Sequence, residues 1–268
     1  MRSADALEAL ESGSAFALVH GDALLRLAEL PDELVDAVIT DCPYSSGGQF
    51  RGDRALDTTS KYVQSGAVGR VADFSGDNRD QRSFGYWCAL WLSECRRVAK
   101  PGALLCCFSD WRQLPMLTDA VQAGGWVWRG LVSWDKTEAV RPQMGRFRSQ
   151  CEYIVWASSG PLPPRDDVGV LPGVIRCAVD VADKHHIAGK PVAVMAALAR
   201  ICTPGGLVLD PFMGSGSTGV GALREGRRFL GIEIERRWCD LSLERLAAEI
   251  TGSTLDARLS GQQALFGS

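Results

Sequence analysis

Histidine is scarce in this chain, closely spaced cysteine pairs are missing, and no apolar run is long enough to cross a bilayer. His20, His185 and His186 are its three histidines, and none of its nine cysteines belongs to a Cys-x-x-Cys pair. Structural zinc sites take their ligands from such clusters, so no metal site is expected. The odd cysteine count, with Cys106, Cys107 and Cys202 inside apolar runs, points to small buried hydrophobes rather than a disulfide framework. The longest apolar stretches, such as 102–108, are of strand length. Acidic residues interrupt positions 1–10, where a signal peptide would carry its apolar core, so a cytosolic protein is expected. The net charge of -3 lacks the excess of a simple basic nucleic-acid binder but is compatible with a local basic face.

What is present is a repeating alternation. Short β-rich runs end in an acid: 16–19 before Asp22, 35–40 before Asp41, 103–108 before Asp110, 207–209 before Asp210 and 229–232 before Glu233. Helical patterns lie between them at 86–98, 113–123, 191–201, 217–225 and 237–250. Buried strands alternating with helices predict an α/β fold with a mostly parallel sheet covered on both faces. Residues 130–157 read as an antiparallel hairpin around a polar loop at 136–149. Ligands of such sheets bind beyond the carboxyl ends of the strands, where the five acids would form a polar rim. Acids in that position also cap helices, and that reading stays open for each of them.

Leu207-Val-Leu-Asp210 runs into Pro211-Phe-Met-Gly-Ser-Gly-Ser-Thr-Gly219. Gly214, Gly216 and Gly219 satisfy the G-x-G-x-x-G spacing with which a strand-to-helix turn approaches a nucleotide, and Glu233 ends the next strand, placed to bind ribose hydroxyls. This loop alone serves a nicotinamide enzyme and an adenosine-type cofactor enzyme equally. Its late position separates them: little chain follows Glu233, so the strands completing the sheet must come from the N-terminal half. The block Asp210-Pro-Phe-Met-Gly-Ser-Gly-Ser-Thr218 resembles the cofactor loop of the S-adenosylmethionine-dependent amino-methyltransferases, and Val38-Ile-Thr-Asp-Cys-Pro-Tyr44 resembles the [DNS]-P-P-[YFW] motif of DNA adenine-N6 and cytosine-N4 methyltransferases.

An exocyclic amine is a poor nucleophile because its lone pair is delocalised into the ring. The resemblance implies that Asp41 and a backbone carbonyl at Cys42 or Pro43 accept its N–H bonds and stabilise the charge that develops on nitrogen. Tyr44 would offer an aromatic face to a base flipped out of the duplex. Cys42 departs from the family's usual proline; it keeps a carbonyl but gives up a fixed φ. Asp at the first position favours adenine over cytosine N4, where Ser is commoner.

The similarity runs from about residue 17 to 248 and implies a Rossmann-like methyltransferase fold. Catalytic motif first and cofactor loop last is a circularly permuted order, that of the beta class, which often forms homodimers. Val19-His-Gly-Asp-Ala-Leu24 would place Asp22 at the cofactor, and His186-Ile-Ala-Gly-Lys-Pro191 would bring Lys190 and Pro191 there. Asp210, Phe212, Gly214, Ser215, Gly216, Thr218 and Glu233 complete the expected S-adenosylmethionine site. The expected organisation is one methyltransferase domain over 1–268. Segments 45–82 and 136–185 would be inserted target-recognition loops, and 251–268 a flexible tail.

Arg141, Gln143, Arg146 and Arg148, with Arg51 and Arg54 of the earlier segment, are candidates for contacting double-stranded DNA, Arg reading guanine and Gln adenine. A solvated charged loop is the alternative at each position. Gln262, Leu265 and Phe266 have the Q-x-x-L-F spacing, which resembles the peptide that docks on the replication sliding clamp. A nucleotide-dependent oxidoreductase, a non-catalytic DNA-binding regulator and an RNA substrate remain the rival readings.

Overall fold

Val35–Thr40 and Leu207–Asp210 are short runs with no solvent-facing side, the composition of strands covered on both faces. The computed structural model describes residues 1–43, 81–142, 144–179 and 189–259. Within them the strands are β1 (Phe16–His20), β2 (Val35–Thr40), β3 (Ala99–Ser109), β4 (Val127–Asp135), β5 (Cys151–Ser158), β6 (Val174–Arg176), β7 (Leu207–Asp210) and β8 (Arg228–Glu233). The helices are α1 (Ser3–Glu11), α2 (Ala23–Ala28), α3 (Gln81–Val98), α4 (Leu114–Ala123), α5 (Val192–Ala199), α6 (Ser217–Arg224), α7 (Arg236–Thr251) and α8 (Leu255–Leu259).

The strands form an 8-stranded sheet in the order β1-β8-β7-β2-β3-β5-β4-β6. From β1 to β3 every neighbouring pair is parallel. β5 runs antiparallel to both β3 and β4, so β4 points the same way as β3. This is the expected mostly parallel sheet with one antiparallel hairpin. Alternate strand residues face opposite layers. Val38, Leu105, Leu209 and Leu230 pack with α1 to α4, whereas Ala37, Ile39, Cys106, Val208 and Phe229 pack with α5 to α7.

Several features differ from the sequence expectation. α1 carries its apolar stripe on Ala6 and Leu10, and the acids along the helix, Asp5, Glu8 and Glu11, hid it. β6 is a three-residue edge strand without a periodic signal; it is created by pairing with β4. Segment 136–185 is not one inserted loop, because β5 lies inside it as an interior strand. The described part of the tail holds α8, joined to α7 by an Arg258 Nε–Glu244 Oε2 contact of 2.8 Å. The clamp-like Gln262, Leu265 and Phe266, and nearly all of segment 45–82, lie outside the described residues. Among the described residues no helix is long and apolar enough to cross a membrane.

Candidate active site at the carboxyl edge of the sheet

Strand order reverses between β7 and β2, since the chain leaves β7 towards β8 and leaves β2 towards β3. A crevice outside the carboxyl ends of those two strands is where open α/β sheets bind ligands. The five acids all lie on that edge, but they do different work. Asp22 is exposed and caps α2, accepting from the Leu25 N–H at 3.2 Å. Asp110 accepts the N–H groups of Arg112 and Gln113 at 3.0 and 2.9 Å. Glu233 accepts from the Gly214 N–H at 2.9 Å and the Glu235 N–H at 2.8 Å, and burial raises its pKa.

Asp210 is a brace. Its Oδ1 accepts from Thr40 Oγ1 at 2.7 Å and the Phe212 N–H at 3.0 Å, and its Oδ2 accepts from Thr218 Oγ1 at 2.6 Å. It thereby ties β2, β7 and α6 together beneath the crevice. Burial pushes its carboxyl up to about 6.

The glycine loop follows. Gly216 stands at φ +82° as the N-cap of α6, a left-handed conformation, and a Cβ there would lie 2.9 Å from Ser242 Oγ. Gly219 lets α6 approach the sheet: its Cβ would meet Phe229 at 2.6 Å and Leu246 at 2.7 Å. α7 holds the loop from behind, a role the sequence reading missed. Ser242 Oγ donates to the Gly214 carbonyl at 2.8 Å, and the buried Arg245 Nη1 donates to the Ser215 carbonyl at 2.6 Å and to Ser215 Oγ at 3.1 Å. Serine and arginine three apart on the buried face of an amphipathic helix are the signal that could have pointed to it.

Asp210, Ser215 and Thr218, expected at the cofactor, make their side-chain bonds within the loop and its supports. All three are buried and satisfied internally, so they shape the loop. By contrast, the Cβ position of Gly214 opens onto free space, and the Phe212 ring, 5.1 Å from Trp91 and 5.3 Å from Trp87, is half-buried. Glu233, like Asp210, is buried, and both of its oxygens accept from backbone N–H groups.

Beyond β2, Lys190 Nζ lies 2.7 Å from Asp41 Oδ2. The same ammonium is 3.3 Å from Glu152 Oε2 and 5.3 Å from the centre of the Phe108 ring. Lys190, expected at the cofactor, is engaged with two carboxylates, since its side chain is 8% exposed and a buried cation needs counter-charge. Its pKa is raised, the pull of Asp41 and Glu152 outweighing burial. Burial pushes the Asp41 carboxyl up to about 7 despite the attraction of Lys190. The other Asp41 oxygen, Oδ1, is buried and has no hydrogen-bond partner among the described residues. Cys42 turns its thiol into the core, 3.9 Å from Cys107 Sγ. Pro191 is buried at the N-cap of α5, its carbonyl accepting from the N–H groups of Val194 and Met195, which makes it a structural residue. Tyr44 and His186 lie outside the described residues.

The loop between β4 and β5 emerges at this same edge, since β4 is parallel to β3. Arg141, Arg146 and Arg148 are exposed on it; Phe147 and Met144 are also fully exposed. Arg148 Nη1 bonds the carbonyls of Glu138 and Val140, so it holds the loop's shape. Gln143, Arg51 and Arg54 lie outside the described residues. No group of three potential metal ligands occurs among the described residues.

The sequence profile of the DNA methylase family N6_N4_Mtase matches residues 35–170 and 173–244. YubD of Escherichia coli (strain K12), a provisionally named methylase, is 30% identical over 231 residues that span 86% of this chain and 89% of YubD. Two solved structures share the fold. The M1.HpyAVI–SAM complex has a TM-score of 0.62 at 21% identity, covering 86% of this chain and 98% of that one. The cytosine-N4-specific PvuII DNA methyltransferase has a TM-score of 0.63 at 17% identity, covering 93% of this chain and 94% of that one.

Proposed function

This chain belongs to the N6/N4 DNA methylase family, and from that premise we propose that it transfers a methyl group from S-adenosylmethionine to the N6 amine of adenine in double-stranded DNA. The observation that carries this reading is Asp41, which follows β2 next to β7, with Oδ2 held by Lys190 and Oδ1 buried without a partner among the described residues. An acceptor left open in a buried site is costly unless a ligand donates to it. An exocyclic amine supplies such a donor. The shared fold does not choose the base, since PvuII methyltransferase is cytosine-N4-specific; aspartate at position 41 supports adenine.

When bound, S-adenosylmethionine supplies a methyl group on a positively charged sulfur. Phe212 and the backbone at Gly214 border its methionine part, and Glu233 holds its ribose. Asp41 Oδ1 accepts one N–H of the target amine, and the carbonyl at Cys42 or Pro43 accepts the other. The nitrogen lone pair then turns out of the ring and forms the new N–C bond as the C–S bond breaks and its electron pair stays on sulfur. The surplus proton leaves the nitrogen along its hydrogen bond to Asp41 and passes to solvent. Tyr44, directly after Pro43, stacks against the extruded base.

Only an ionised Asp41 can accept both the hydrogen bond and the proton. Turnover should therefore rise to a plateau as pH increases through about 7, where burial places this carboxyl. Tritiated S-adenosylmethionine and unmethylated duplex DNA give the measurement. A profile flat across that range would contradict the role of Asp41. Arg146→Ala should weaken duplex binding roughly threefold to tenfold with a shallower salt dependence. It should leave S-adenosylmethionine affinity in place, as titrations of each ligand would show.

A further inference from the structure

A chain of alternating charge runs across the sheet edge. Asp41 follows β2, Lys190 precedes α5, Glu152 is the second residue of β5, and Lys136 directly follows β4. Lys190 Nζ stands 2.7 Å from Asp41 and 3.3 Å from Glu152, and Lys136 Nζ stands 3.2 Å from the other Glu152 oxygen. The side chains of Lys190, Lys136, Asp41 and Glu152 are only 8, 15, 18 and 20% exposed, so solvent screens the chain weakly.

We infer that Glu152 is a positioning residue for methyl transfer: it holds Lys190 between two carboxylates, so that Lys190 fixes one oxygen of Asp41 and leaves the other for the target amine. This inference rests on the methyl-transfer reading of Asp41. An ammonium facing Asp41 alone would be drawn fully onto it, where its three donors can cover both oxygens. Glu152 supplies the competing pull, and Lys136 keeps Glu152 in place from the far side. After burial and Lys190, the same carboxylate also bears on how readily Asp41 ionises. Glu152 repels charge on Asp41, as Cys42 also does, while Lys190 favours it. Glu152 itself stays below the ordinary carboxylate range, because Lys190 and Lys136 outweigh its burial. Asp110 feels the same charge, since Glu152 adds to the burial that raises its pKa. The root of the arginine-bearing β4–β5 loop, at Lys136 and Glu152, is thereby joined electrostatically to Asp41.

Glu152→Gln keeps the shape and removes the charge. In the full-length protein, with tritiated S-adenosylmethionine and unmethylated duplex DNA, kcat should fall roughly tenfold to a hundredfold. The rise of activity with pH should move to lower pH than in wild type, because a negative neighbour of Asp41 is gone. S-adenosylmethionine affinity should hold, and Glu152→Asp should recover part of kcat with a pH midpoint between the other two. A midpoint that stays or moves upward in both variants, or an unchanged kcat, would overturn the inference. So would a loss expressed in S-adenosylmethionine affinity. Wild-type protein that transfers no methyl group to DNA would instead remove the reading beneath it, before any Glu152 variant is compared.

Discussion

Asp41→Ala is expected to abolish methyl transfer while leaving cofactor binding in place. Removing a preorganised group that stabilises developing charge costs roughly 10²–10³-fold in rate. Here the loss should be at the upper end or beyond, because Asp41 accepts both a hydrogen bond and, later, the proton. The fold should tolerate the change. Burial raises the pKa of this carboxyl, a sign that its charged form is disfavoured in place, and Lys190 keeps Glu152 as a counter-charge. S-adenosylmethionine affinity by titration should stay within about twofold, since Phe212, Gly214 and Glu233 are untouched. Retained turnover in this variant would remove Asp41 from the mechanism.

Lys190→Met makes the opposite pattern. It deletes the cation shared by two carboxylates and leaves Asp41 and Glu152 as like charges near one another. Breaking a buried pair by removing one partner costs roughly 3–5 kcal/mol, and the residual exposure of both acids argues for the lower end. A loss of about 3 kcal/mol should lower Tm by roughly 5–10 °C. Activity should fall too, and what remains should need higher pH, because Asp41 without Lys190 resists ionisation more strongly. Thermal unfolding and the pH profile together check this. Unchanged Tm with full activity would show that Lys190 is not the hinge of the site.

The two variants also show what the sequence disclosed and what it hid. The glycine loop and the 41–44 motif were legible because they are local: a strand, an acid and a tight turn in consecutive residues. Their meeting was legible too, since a late glycine loop needs N-terminal strands beside it, and β2 does lie next to β7. The jobs of individual acids were not. Asp210 became a buried brace only because Thr40, 170 residues away, points at it from β2. Lys190 and Asp41 are 149 positions apart, and no periodicity foretells which carboxylate a buried lysine meets. Glu152 left a trace that went unread. A charged residue inside the largely apolar run 151–158 must find a partner when that strand becomes interior, and its burial is what makes the partner matter.

The central claim is transfer of a methyl group from S-adenosylmethionine to adenine N6 under the control of Asp41. Its most direct test is nucleoside analysis of duplex DNA after incubation with the full-length protein and labelled S-adenosylmethionine. The account predicts label in N6-methyladenine, and none when Asp41→Ala replaces wild type. Label in N4-methylcytosine would contradict the assignment to adenine, and unlabelled DNA would contradict the account as a whole.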